Sequence, residues 1–222
     1  MHHAPPAGHS DRTYLPAMGR DALLPLYDAV SRLLGVSSLH RRLVELAAIE
    51  PGHRVLEVGC GTANLTLLAQ RVQPGAGYVA LDPDPHALRR ARRKAERRHV
   101  AVQLDRGFAE ELPYPNGSFD RVLSSLMLHH LGRDAKPAML REVARVLRPG
   151  GSLHLLDIDG EMGGHGPFLA RRLHGGPRLA DNRADVVTAL MSDAGLSHPA
   201  AVDHRVKRIG RLTFYRAQAP SG

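Results

Sequence analysis

The stretch that most constrains what this chain can fold into runs from Arg54 to Val72. Arg54 to Val58 is a short, mostly apolar run that reads as a strand. Gly59 and Gly61 then punctuate a turn, and Leu65, Leu68, Ala69 and Val72 recur at helical spacing from Asn64 onward. A strand, a tight glycine turn and a helix start make a site for a small ligand. Glycine lets backbone N–H groups come close, and the first helical turn presents unpaired donors with a partial positive charge. A dinucleotide fingerprint would place a third glycine at position 64, where Asn64 stands instead. Glu57, just ahead of the turn, would discourage a pyrophosphate and suits a ligand carrying an ammonium group.

A second element follows at the expected distance. Gly77 to Leu81 read as another apolar strand ending at Asp82, roughly 20 residues past the turn, where a carboxylate can hold a ribose diol by two hydrogen bonds. Pro83 and Pro85 suit the bend into a helix; Asp84 is the acid that competes with Asp82, but it reads first as the N-cap of that helix. That helix would bury Leu88, Ala91 and Ala95 and turn its basic residues to solvent. Val100 to Leu104 read as a third strand, and Asn116-Gly117 as a turn into a fourth that begins near Phe119. The fourth strand leads to His129 and His130. Their imidazoles titrate near neutrality when unperturbed, so either could take a proton from a substrate hydroxyl or acidic carbon. His129 is the preferred base, the competing role for either being to cap or pack the helix that follows.

Lys136 to Leu147 carry a further amphipathic helix, and Arg148-Pro149-Gly150-Gly151 turns into a fifth strand, Ser152 to Ile158. Asp157 or Asp159 at its end could face the substrate, but both read first as solvated loop acids. The glycine-rich stretch 160–183 reads as a mobile insert, Ala184 to Ala194 as a last helix, and Val202–Val206 with Arg211–Arg216 as an antiparallel hairpin. At the other end, residues 1–20 read as a flexible arm. From Asp21 the apolar spacing predicts one helix to Leu34, with Tyr27 facing either the core or a substrate. A second helix, capped by Ser37 or Ser38, carries Leu39, Leu43, Leu46 and Ala47 and closes at Pro51-Gly52.

Composition narrows the function classes. Cys60 is the single cysteine, so no internal disulfide can form. No apolar run is long enough for a membrane span and no signal segment is evident, so a soluble, cytoplasmic protein is expected. The net charge is +8, and seven cations between Arg89 and Arg98 stand against one acid, Glu96, so six of those charges lie in one helix. Such a run reads as a solvated face first and an RNA or protein docking face second. Tryptophan is absent and aromatics are few, which argues against a base-stacking nucleic-acid surface. His2, His3 and His9 lack a supporting carboxylate or cysteine cluster, so no metal is expected.

The run Val55 to Thr62 resembles the first motif of the class I S-adenosylmethionine-dependent methyltransferases, and Phe119 to Leu131 resembles a later one. Tyr27-Asp28 with Leu39-His40-Arg41-Arg42 is similar to the start of quinone-biosynthesis methyltransferases. The resemblance implies an α/β fold with a Rossmann-like, mostly parallel seven-stranded sheet, helices on both faces and a C-terminal antiparallel hairpin. It divides residues 21–222 as one domain: a helical cap (21–50), a cofactor-binding core (51–158), the insert, and a last helix with hairpin (184–222). It places S-adenosylmethionine against Glu57, Gly59, Cys60, Gly61 and Thr62, with Asp82 and Pro83 at the ribose. Ser124 and Leu126 lie near the methyl group, and Phe108 and Ala109 at the adenine. Many relatives carry aspartate where Phe108 stands; phenylalanine cannot accept from the adenine amino group but can cover the purine face, leaving Asp105 or Glu110 as helpers. The implied acceptor is a small molecule, quinone-like or another metabolite, methylated on oxygen, nitrogen or carbon, with Tyr27 and His129 on its side. Two other readings stand beside it: RNA- or protein-directed methylation docked through the arginine helix, and a non-catalytic cofactor-binding scaffold.

Overall fold

The computed structural model describes residues 35–160, 182–207 and 210–219. The expected N-terminal arm, the first helix from Asp21 with Tyr27, and nearly all of the insert lie outside them. In chain order the described elements are α1 (Val36–Ala47), β1 (Arg54–Val58), α2 (Asn64–Val72), β2 (Gly77–Asp82), α3 (Pro85–Arg97) and β3 (Gln103–Arg106). There follow β4 (Phe119–Ser125), a 3-10 turn at Leu128–His130, α4 (Ala135–Val146), β5 (Leu147–Ile158), α5 (Ala184–Asp193), β6 (Ser197–Lys207) and β7 (Gly210–Gln218). The seven strands form one sheet in the order β3-β2-β1-β4-β5-β7-β6. The first five are parallel, and β7 runs antiparallel to both β5 and β6. The expected architecture is the observed one.

Parallel strands covered on both faces must be apolar on both, which is why β1, β2 and β5 read as nearly continuous apolar runs. Leu56, Val58, Val122, Leu153 and Leu155 face α4 and α5, meeting Met139, Leu140, Val143, Val187 and Met191. Val55, Tyr78, Leu123, Leu156 and Phe214 face the other way, toward Leu39 and Leu43 of α1 and Leu65 and Ala69 of α2. Each such aliphatic side chain contributes about 1.5–3 kcal/mol by leaving water. A third cluster, made mostly of small residues (Cys60, Ala63, Ala80, Ala91, Ala95, with Leu67), joins α2 to α3. Small side chains here bring α3 close to the loop that follows β1.

Several element boundaries differ from the sequence expectation, each for a local reason. Helix α1 begins at Val36 with left-handed Gly35 as its cap residue, so Ser37 and Ser38 sit inside its first turn; the Ser38 hydroxyl donates to the Gly35 carbonyl at 2.7 Å. β3 starts at Gln103 rather than Val100, because Val100 N–H still closes α3 by donating to Ala95 O and His99 turns the chain with φ 53. No helix separates β3 from β4 among the described residues. β5 begins at Leu147, ahead of the glycine turn, since Leu147 already pairs with Phe119. β6 is longer than expected and is broken by register shifts near Ser197–Ala200 and Ala201–Asp203. Val72, read as part of the apolar face of α2, is exposed.

Candidate functional site

Strand order reverses at β1, which pairs with β2 on one side and β4 on the other. In such sheets ligands bind outside the carboxyl ends of the strands, at the point where the order reverses. Every sequence-predicted site residue among those described lies in the loops or strand ends at this edge.

The turn after β1 is built on left-handed backbone at Gly59 (φ 73), Gly61 (φ 53) and Ala63 (φ 58). Gly59 N–H and Cys60 N–H both donate to Leu81 O, at 2.9 and 3.0 Å, which ties the turn to β2. A Cβ on Gly59 would lie 2.2 Å from Met127 Cγ, so glycine is required there by contact as well as by φ. A Cβ on Gly61 would meet nothing within 4 Å, so this part of the turn faces open space. Ala63 precedes α2 with no side-chain cap, leaving the start of that helix to other acceptors. One of them is Glu57. Its Oε2 accepts from Thr66 N–H at 2.9 Å and from the Thr66 hydroxyl, so the acid expected to face the ligand braces the first turn of α2 from inside the sheet. Burial pushes the Glu57 carboxyl up to about 8; the Thr66 bonds pull it down and nearby Asp82 pushes it further up. The buried Cys60 thiol is also pushed well up by burial, with Glu57 and Asp82 adding to the effect.

Asp82, at the end of β2, accepts from Gly61 N–H at 2.7 Å through Oδ2 and from Asp84 N–H at 2.9 Å through Oδ1. Burial raises its carboxyl and outweighs those two bonds. Two carboxylate oxygens offer about four lone-pair positions, so a diol can be accepted without displacing either amide. Asp84 caps α3 as expected, accepting from His86 N–H at 2.7 Å, with Pro85 in the first turn. Pro83 is half-buried, its carbonyl accepting from Arg106 Nε at 3.3 Å. Thr62 is buried, and its hydroxyl accepts from Lys94 Nζ at 2.7 Å. The basic run is therefore not one solvated face: Arg89, Arg92, Arg93, Arg97 and Arg98 are exposed, while Lys94 turns inward.

On the adenine side, Phe108 is half-buried and bridges to Glu111, and Ala109 is buried. Asp105 is occupied within the protein, accepting from Tyr114 OH at 2.9 Å and Gln103 Nε2 at 2.7 Å. Glu110 is half-buried.

After β4 the chain turns sharply at Leu126 (φ 55), whose N–H donates to Leu156 O. Ser124 is fully buried and its hydroxyl donates to Val58 O at 2.9 Å, so it steadies the end of β1. Neighbouring Ser125 points to the opposite face and pairs with His40 Nε2 of α1 at 3.1 Å. Burial lowers His40 to about 4, so it is neutral near pH 7.

The two histidines separate by partner. His129 Nδ1 lies 2.6 Å from Asp157 Oδ1, and His129 N–H donates to Asp157 Oδ2 at 3.3 Å. His130 is half-buried, its ring 4.0 Å from that of His129. Asp157 and Asp159 are both buried, which corrects their reading as solvated acids. Burial works to raise the Asp157 carboxyl, but the charge and hydrogen bond of His129 outweigh it and hold it below its usual range. Asp159 accepts from Thr213 Oγ1 at 3.0 Å and pairs with Arg211 at 3.3 Å. Sequence reasoning missed Asp157 and Lys94, though both had a signal. Asp157 continues the face of Leu153 and Leu155 at strand spacing, and Lys94 lies seven and three residues past the buried Ala87 and Ala91 of α3.

Among the described residues no group of three or more His, Cys, Asp or Glu side chains is arranged to hold a metal, and no helix is long and apolar enough to cross a membrane. A family model described as a methyltransferase domain matches residues 55–151, the segment from β1 to the start of β5 that carries the turn, Asp82 and His129. Over this segment the chain is similar to the methyltransferase domain. A demethylmenaquinone methyltransferase from Thermus thermophilus is 37% identical to this chain over 139 residues, which cover 61% of this chain and 62% of that protein. The chain thus spans about three fifths of the length of the curated relatives it matches. Among solved structures, an S-adenosylmethionine-dependent methyltransferase from Aquifex aeolicus shares the fold with TM-score 0.69 at 19% identity, covering 90% of this chain and 99% of that one. The cyclase SpnF shares it equally, with TM-score 0.69 at 19% identity over 83% of this chain and 81% of SpnF. Fold and activity are separable on this scaffold.

Proposed function

We propose that this protein transfers a methyl group from S-adenosylmethionine to a small-molecule acceptor of the quinol or phenol class. The observation that carries the reading is the convergence of the open face at Gly61, the Asp82 carboxylate and the His129–Asp157 pair on one edge of the sheet. The relatives named as demethylmenaquinone methyltransferases support the quinone-like end of the acceptor range.

The residues fit the cofactor: open space at Gly61, an α2 start with no side-chain cap, and spare acceptor capacity on Asp82. Gly59, Cys60, Gly61 and Thr62 would hold the methionine part, with Glu57 bracing the turn beneath it. Asp82 and Pro83 would hold the ribose. Phe108 and the Ala109 backbone would meet the adenine, and Leu126 would lie near the reacting end, with Ser124 acting through Val58. When bound, S-adenosylmethionine supplies an electrophilic methyl group on a sulfonium. The chain's own contribution is to align the acceptor and exclude water, worth up to about 7–11 kcal/mol in favourable systems. His129 would take the acceptor's proton at Nε2 while Asp157 holds Nδ1 and favours the imidazolium that results. His130 and Tyr27 would line the acceptor side.

The segment 51–158 serves as the cofactor half on this reading. Helix α1 belongs to the acceptor half, where His40 meets Ser125. The test is methyl transfer from labelled S-adenosylmethionine to 1,4-naphthohydroquinone and a panel of phenols. Label in the acceptor, lost with Asp82→Ala, supports the reading; transfer to RNA or protein, with none to the panel, overturns it.

A further inference from the structure

Lys94 lies in the most basic helix among the described residues, yet its ammonium is part-buried and reaches the turn after β1. Its Nζ donates to Thr62 Oγ1 at 2.7 Å and Asn64 Oδ1 at 2.8 Å, and approaches Thr62 O at 3.3 Å. Three donors of one ammonium thus meet three acceptors, one or two on each side of Ala63. Ala63 is the residue under strain: it is left-handed at φ 58, where glycine is at ease and a side chain is not. Such a conformation persists only where its surroundings over-determine it. Here they do, for Ala63 N–H donates to Cys60 O at 2.8 Å and Lys94 grips both flanking residues. The placement also runs against the helix dipole, since a cation beside the start of α2 is disfavoured. Neither helix propensity nor the dipole explains the contact.

The turn is therefore held from two sides by the same strand–helix unit. Asp82, at the end of β2, grips Gly61 N–H at 2.7 Å, and Lys94, in α3, grips Thr62 and Asn64. The alanines of α3 at 87, 91 and 95 allow the approach that brings Lys94 into reach. We propose that Lys94 is a positioning residue that locks the strained Ala63 turn in its ligand-ready shape, and so sets the affinity for the cofactor without touching it. This rests on the methyl-transfer reading for the identity of the ligand, though not for the existence of the clamp.

The test uses Lys94→Met, which keeps the stem and removes the ammonium, and reads two quantities. The first is hydrogen exchange at the amides of residues 61–66; the second is the Kd of S-adenosylhomocysteine. The expected result is exchange faster by about tenfold or more in that segment alone, with Kd weaker by about tenfold. Ala63→Gly, which relieves the strain, should restore Kd to within about threefold in the Lys94→Met background. Unchanged exchange overturns the proposal, as does a loss of affinity that Ala63→Gly leaves in full. If the parent protein does not bind S-adenosylhomocysteine, the functional reading falls, and the exchange measurement still decides the clamp. Should Lys94→Met fail to fold, Lys94→Gln, with its shorter side chain, carries the same measurements.

Discussion

Replacing Glu57 with glutamine isolates the electrostatic cost built into the turn. Glu57 is 3% exposed and lies in β1 between two neighbouring strands, with Oε2 accepting from both the N–H and the hydroxyl of Thr66. Burial is the largest influence on it and carries its carboxyl from 4.5 up to about 8. Because the folded value lies above the unfolded one, the native protein keeps a proton through this window that the unfolded chain has released. Stability therefore falls as pH rises from about 4.5 to about 8, at up to about 1.4 kcal/mol per pH unit, and then levels off. By pH 7 the accumulated cost is about 3 kcal/mol, a large fraction of the stability of an ordinary domain. Glutamine cannot ionise and retains an oxygen for Thr66, so Glu57→Gln should remove that slope. Urea unfolding at pH 5, 6, 7 and 8, extrapolated to water, is the assay. The expected outcome is a variant close to the parent at pH 5 and more stable by roughly 3–5 kcal/mol at pH 8. Parallel profiles for the two proteins would refute the burial argument.

Other consequences follow from neighbouring contacts. Gly59→Ala should destabilise the fold by about 1–3 kcal/mol and abolish cofactor binding, because its Cβ would enter Met127 at a position with φ 73. Gly61→Ala, with nothing within 4 Å, should cost only about 1 kcal/mol of stability while still weakening binding; thermal unfolding beside ligand titration separates the two. Ser124→Ala should cost about 1–2 kcal/mol in urea unfolding by removing the buried bond from its hydroxyl to the Val58 carbonyl, with little change in cofactor affinity. Asp157→Asn should lower turnover by about 100-fold or more while cofactor Kd stays near that of the parent, since the His129 tautomer and charge lose their partner. The parent also gains stability from Asp157 above its ordinary carboxylate pKa and loses it as pH falls through the depressed folded value, a loss the asparagine variant should lack in acid unfolding.

The parts of the fold that could be read from the sequence are those with a strong local cause. β1, α2 and β2 matched because apolar runs, glycines and Asp82 punctuate the chain clearly, and Asp84-Pro85 marked the start of α3 for a capping reason that the structure repeats. The site was harder to read where its residues act on the protein itself. Glu57 suits a cationic ligand by charge, but the uncapped start of α2 lies within its reach and takes its oxygen. Ser124 is on the right strand, but its side chain falls on the buried face and finds the Val58 carbonyl. Asp157 and Lys94 were misread for one shared reason. A charged residue in isolation is read as solvated, and only its periodicity against buried neighbours shows that it points inward; the partners that make burial tolerable, His129 and Thr62, lie 28 and 32 residues away.

The central claim is that the site at the carboxyl ends of β1, β2 and β4 holds S-adenosylmethionine, with Asp82 as an essential acceptor. Calorimetric titration of S-adenosylhomocysteine into the parent and into Asp82→Ala tests it most directly. The account predicts micromolar binding to the parent and a loss of about 30-fold or more in a variant that remains folded by circular dichroism. Equal affinity in the two proteins, or no binding to a folded parent, would contradict it.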